Sequence, residues 1–299
     1  MSRYKTGLVF GVAAYGLWGL FPLYWPLLEP ATSQEIVSHR AVWTLVFCAI
    51  ALSLSKKLKE TYALLIIPRI AIRLFITSIL ISINWLVYIW AVNHDQVVEG
   101  ALGYYINPLV IITFGILFLK EKMRRMQWVS VGIATVGVIV LTVGYGKVPL
   151  IALTLAASWG SYGLVKKQLG LGALQGLAIE TLISSPFYLG YLLWIAHKGE
   201  GHFTYSPGLT ILLISAGIVT AIPLLLFNGS TTRLPFTIIG LLQYITPSIQ
   251  FSIGVWVRHE DMPGSRWAGF LIIWIALITL GIDLVRSSST SNNSLAQAD

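Results

Sequence analysis

Three ionisable side chains lie well inside apolar stretches of this 299-residue chain: His39, Arg40 and Glu180. In a bilayer core such a group costs about 2.5–3.5 kcal/mol on insertion scales, so each is a functional candidate by default. Arg40 offers a planar fork of donors, and a solute carboxylate is its natural partner. Glu180 is the candidate for proton coupling, and His39 for lining water or capping a neighbouring backbone. A second polar set gathers around two prolines. Asn107–Pro108 and Thr246–Pro247 are flanked by Tyr104, Tyr105, Gln243 and Tyr244. Proline removes a backbone donor and frees a carbonyl, so kinks are expected at Pro108 and Pro247, where freed groups can hold a solute. Trp43, Asn84 and Tyr88 complete the candidate binding set. Rings within spans, Trp18, Trp85 and Trp90 among them, suit either packing or a cavity for an organic solute.

The same inventory holds no catalytic signature. The motifs GxxxxGKS/T, HExxH and GxSxG and paired metal-ligand spacings are absent, so no ATP, metal or cofactor is expected, and no enzyme. Cys48, the one cysteine, reads as an apolar filler. The net charge of +8 does not point to nucleic acid, because the basic residues are scattered over loops between apolar runs.

Those side chains need elements long enough to hold them in a membrane. The chain is 56% hydrophobic and 11% charged, whereas a soluble domain carries about 25% charged residues. Apolar runs of about 20 residues, each able to cross a core of about 30 Å, recur along its whole length. They lie near 6–28, 33–54, 71–93, 97–119 and 126–143, then near 148–165, 174–196, 208–228, 235–257 and 267–285. With the N-terminus in the cytoplasm, fifteen of the twenty lysines and arginines fall inside. Lys147, Lys198, Arg258 and Arg266 fall outside, and Arg40 lies within a span. That bias predicts cytoplasmic N- and C-termini and an even number of spans.

The second half of the chain repeats the first at an offset of 139 positions. Tyr105 meets Tyr244, Pro108 meets Pro247, Gly115 meets Gly254, Glu121 meets Glu260 and Trp128 meets Trp267. The loop KEKMRRM (120–126) is basic and its counterpart HEDMPGSR (259–266) is of mixed sign, which predicts opposite sides of the membrane. Five spans per copy then place the copies upside down to one another. The expected units are 1–146 and 147–286, with 287–299 a disordered cytoplasmic tail rich in Ser and Asn. Glu121, among Lys120, Lys122 and Arg124, reads as a local ion-pair partner.

The segments HRAVWT (39–44), NWLVYIWAVN (84–93), EGALGYYINPLV (99–110) and FLKEKMRRMQW (118–128) resemble those of the RarD family. So do SYGLVKK (161–167), IET (179–181), GIVTAIPLLLFN (217–228) and LLQYITPSI (241–249). These are EamA-type permeases of the drug/metabolite transporter superfamily. The resemblance implies ten helices in two inverted repeats, a bacterial inner membrane and export of small organic molecules. The family's name is linked with chloramphenicol sensitivity, and relatives in the superfamily export amino acids and other metabolites.

The expectation is an all-α integral membrane protein with ten transmembrane helices as two inverted five-helix repeats. Its function would be that of a secondary exporter of small organic metabolites or drug-like molecules by alternating access. Amino acids and other zwitterions or anions are within that range. Its partners would be a small-molecule substrate and membrane lipids, and its unit a monomer. The few intramembrane acids fit a facilitator or proton exchange better than sodium coupling. Two other classes compete. A membrane enzyme for a lipid-linked substrate needs its catalytic groups gathered at one interface, and here they are divided between both sides. A non-transporting scaffold or sensor has no need of polar residues at matched depths in both copies.

Overall fold

Away from water a backbone must satisfy its own polar groups, and helix does so within a single segment. In the computed structural model the described residues are helical with short connections and hold no strand. They are 3–93, 97–145 and 150–257, with 264, 267–269, 271–276, 278, 279, 282 and 283. The helices are α1 (Arg3–Gly19), α2 (Phe21–Tyr24), α3 (Ser33–Leu54), α4 (Leu58–Ala63), α5 (Pro68–Asn93) and α6 (Val97–Leu119). There follow α7 (Arg125–Tyr145), α8 (Leu150–Leu169), α9 (Ala173–Lys198), α10 (Pro207–Thr231), α11 (Phe236–Leu242) and α12 (Ile245–Trp256). A 3₁₀ turn, Trp25–Leu28, follows α2.

Local chemistry sets the boundaries. The Thr32 hydroxyl accepts from the Glu35 amide at 3.3 Å and opens α3, and the Ser206 hydroxyl accepts from the Leu209 amide at 3.2 Å ahead of Pro207 to open α10. Gly199, at φ +72°, closes α9 in the left-handed conformation that glycine adopts without strain.

Among the described residues seven helical segments are long and apolar enough to cross a membrane, where the sequence predicts ten spans. The difference lies in three places. Helix α8 has 20 residues, but its small residues and its Lys166 and Lys167 dilute its apolar character. The ninth expected span is divided into α11 and α12. The tenth falls partly outside the described residues, with an apolar helix over Trp267–Ala276. The division between α11 and α12 has a local cause. Proline at position i clashes with the carbonyl of residue i−4. Pro247 sets that clash at Gln243, where the helix is interrupted and the Thr246 amide turns to the Gln243 carbonyl at 3.2 Å. Helix α6 runs through Pro108 without interruption.

Helix α3 packs on α9 and α10, α1 on α10, and α8 on α5 and α6. At Gly217 of α10 a Cβ would lie 2.5 Å from the Trp43 carbonyl carbon, and the Thr44 hydroxyl donates to the Gly217 carbonyl at 3.1 Å. Glycine is therefore what lets α3 and α10 touch backbone to backbone. Large apolar side chains such as Leu54, Leu117, Phe187 and Ile211 stand exposed on the outside, the surface expected of a lipid-facing bundle.

Candidate functional site

Arg40 occupies the second turn of α3 and is 3% exposed. Its guanidinium carbon lies 4.5 Å from the centre of the Trp25 ring and 4.6 Å from that of Trp85, and its Nε donates to the Thr220 hydroxyl at 3.0 Å. Stacking on indole is attractive for a cation. Among the described residues no carboxylate forms an ion pair with Arg40. The close contact at Gly217 fixes its position, because Thr220 lies one turn further along α10.

Arg40 faces a cavity built at the meeting of six long or paired helices. Tyr15 and Trp18 come from α1, Asn84, Trp85 and Tyr88 from α5, Tyr104 from α6 and Trp159 from α8. Phe21 of α2, Gln243 at the helix break, and Thr246 and Gln250 of α12 close it. The empty space is about 530 Å³, counting the part that opens to solvent. Its walls are braced by rings and hydrogen bonds. Trp18 and Trp159 meet edge to face at 5.0 Å, and Tyr88 and Tyr104 at 5.3 Å. The Asn84 amide nitrogen donates to the Leu155 carbonyl at 3.1 Å and to the Ser158 hydroxyl at 3.0 Å. The Thr246 hydroxyl donates to the Tyr15 carbonyl at 2.7 Å, which ties α12 to α1.

Of the side chains expected at the site, Arg40, Asn84, Tyr88 and Gln243 line this cavity, and His39, Trp43, Tyr105, Asn107, Glu180 and Tyr244 do not. His39 stacks on Phe203 with ring centres 4.8 Å apart, and Trp43 lies over the same phenyl ring at 6.1 Å. Tyr105 and Tyr244, matched in the repeat, face each other at 6.5 Å. Asn107 is fully buried, and neither atom of its amide has a hydrogen-bond partner among the described residues. Glu180 is buried in a network of its own. Its carboxylate accepts from the Thr77 hydroxyl at 2.6 Å, from the Lys166 ammonium at 3.0 Å and from the Tyr162 hydroxyl at 3.2 Å. Glu180 is thus held apart from the residues that line the cavity around Arg40.

Three acidic or basic residues have roles that the sequence does not announce. Lys166, counted as a loop charge, is 8% exposed and pairs with Glu180. Glu35, 1% exposed, accepts from the His202 amide at 2.7 Å and sits 2.9 Å from His202 Nδ1, which holds the α9–α10 connection against α3. Glu121 is no local ion-pair partner: its carboxylate accepts from the Phe236 amide at 2.7 Å and the Thr237 amide at 2.9 Å. The first amides of a helix lack intrahelical acceptors, and Pro235 supplies no side-chain cap, so the acid from the loop after α6 fills the place. The repeat partner Glu260 lies outside the described residues.

An all-helical bundle with long apolar helices and exposed apolar sides is a multi-pass membrane protein. The chain belongs to the EamA-like transporter family, whose profile matches residues 5–143 and again residues 147–282. It is a membrane transporter of the drug/metabolite type. A protein named RarD from Streptomyces exfoliatus is 46% identical over 298 residues, or 99% of this chain and 95% of that protein. The transporter YojE of Bacillus subtilis strain 168 is 44% identical over 97% of this chain and 98% of its own. The protein named RarD of Escherichia coli K12 is 38% identical over 94% and 95%. A solved crystal structure shares the fold, with a TM-score of 0.68 at 16% identity over 93% of this chain and 98% of that one.

Proposed function

We propose that this transporter is a secondary carrier that exports small organic solutes by alternating access through the cavity around Arg40. The observation that carries the reading is the guanidinium itself. It is buried, it lacks a carboxylate partner among the described residues, and it lines the ring-walled cavity. A charge so placed is costly to fold around, and a bound solute compensates it. The cavity draws α1, α3, α5 and α6 from the first copy and α8, α11 and α12 from the second, as expected for a site at the interface of two repeats. The facing of matched Tyr105 and Tyr244 supports a pseudo-twofold axis between inverted copies. On this reading α8, the α11–α12 pair and the helix through Trp267–Ala276 complete ten crossings, with units 1–146 and 147–286. The carrier works as a monomer in the bacterial inner membrane with both termini in the cytoplasm.

Arg40, Asn84, Tyr88 and Gln243 contact the solute, and His39, Trp43, Tyr105, Asn107, Glu180 and Tyr244 support the helices that carry them. Efflux of labelled candidate solutes from proteoliposomes tests the proposal. Saturable flux in the wild type that Arg40→Gln abolishes is expected. Flux that Arg40→Gln leaves intact removes the cavity from the path, and absence of flux for a solute that binds favours a scaffold or sensor.

A further inference from the structure

Of the twelve described residues that line the cavity, Arg40 alone is charged, and no aspartate, glutamate, lysine or histidine is among those twelve. These residues together contribute one positive charge. A bound monoanion brings the site to neutrality, a zwitterion leaves the buried positive charge in place, and a cation doubles it. Burial away from water makes that difference large.

The hydrogen-bonding groups lean the same way. The Nε of Arg40 is engaged by Thr220, which leaves the Nη donors for a ligand. Trp159 Nε1, which can only donate, and the Tyr15 hydroxyl are buried in the lining without partners among the described residues. The Tyr15 hydroxyl can donate or accept, and one buried group that can only accept lacks a partner among the described residues, the side-chain amide oxygen of Gln243. Seven of the twelve lining residues are aromatic, so the body of the ligand meets ring faces and edges. A planar carboxylate matches the two parallel donors of a guanidinium end, and a planar aromatic body matches walls made of rings.

We propose that the cavity selects aromatic monocarboxylates and discriminates against zwitterions and cations built on the same skeleton. This deepens the carrier reading and rests on its cavity, but binding tests it without any assumption about flux. Five probes share one framework: 3-phenylpropanoate, phenylalanine, 3-phenylpropanamide, 3-phenylpropylamine and 3-cyclohexylpropanoate. Their affinities for the purified, detergent-solubilised transporter are read from quenching of its intrinsic tryptophan fluorescence.

The expected result is that 3-phenylpropanoate binds about tenfold or more tighter than phenylalanine or the amide, and that the amine is weakest. The saturated ring should bind several-fold more weakly than the phenyl ring. Arg40→Gln should remove the preference for the anion over the amide. The order among the probes in the wild type stands as a test even where the variant does not fold. Phenylalanine binding as tightly as 3-phenylpropanoate overturns the proposal, as does an anion preference that survives Arg40→Gln, or binding of none of the five. Equal binding of the saturated and aromatic acids overturns its aromatic part. Tight binding of 3-phenylpropanoate without flux in proteoliposomes upholds the ligand class and removes the carrier reading instead.

Discussion

Replacing Lys166 by methionine should be among the most destabilising single changes in the bundle. The Glu180 carboxylate is 1% exposed and accepts from one ammonium, at 3.0 Å, and two neutral hydroxyls, those of Thr77 and Tyr162. Methionine keeps most of the volume and removes the counter-charge, leaving an anion in the interior with hydroxyls alone. Breaking a buried pair by removing one partner costs about 3–5 kcal/mol, or roughly 10²- to several 10³-fold in the folding equilibrium. Thr77→Val and Tyr162→Phe each remove one hydrogen bond to a charged group and should cost about 1.5–3 kcal/mol. Glu180→Gln in the Lys166→Met background removes the stranded charge, so the double variant should recover more than half of the loss. The measurement is equilibrium unfolding in mixed micelles under increasing dodecyl sulfate, followed by tryptophan fluorescence, as a complete double-mutant cycle. Lys166→Met within about 0.5 kcal/mol of wild type, or a double variant whose loss equals the sum of the singles, would refute the ion pair as a structural unit.

Glu121→Ala should cost about 1–2 kcal/mol, and Glu121→Gln less, because two amides of α11 lose their acceptor; unfolding in the same micelles would reveal an unchanged stability if the cap is idle. Gly217→Ala should cost about 1–3 kcal/mol, since the new methyl would lie 2.6 Å from Trp43 Cβ, whereas Gly16→Ala meets nothing within 4 Å and serves as the neutral control. Glu35→Ala should free the connection at 199–206, read as faster proteolytic cleavage there in intact protein; a cleavage rate equal to wild type would mean that other contacts hold the loop.

What was legible in the sequence follows from what hydropathy and charge record. Apolar run length marks helices whatever they pack against, so most spans coincide with observed helices. Arg40 could be singled out because a charge within an apolar run is anomalous on its own. Which neighbour shares its cavity is a matter of helical phase, and consecutive residues lie about 100° apart around the axis. That angle separates His39, turned to Phe203, from Arg40, and Tyr105, turned to Tyr244, from Tyr104 at the cavity. The polar partners missed are those distant in the chain or hidden by position. Lys166 lies near a helix end, where a basic residue reads as an orientation signal, and its partner is on the next helix of a hairpin. Glu121 satisfies amides 115 residues away, and no local pattern announces that.

The backbone contact at Gly217 bears on how the bundle can move. Two helices separated by side chains can slide, because rotamers absorb the shift. Two helices that touch main chain to main chain, pinned by the Thr44 hydroxyl on the Gly217 carbonyl, leave nothing to absorb it. Helices α3 and α10 therefore form a single lever, and the Arg40–Thr220 bond lies within it. Trp85 belongs to α5, outside the lever. Any swing of the pair keeps the guanidinium's hydrogen bond and changes its distance from the Trp85 indole.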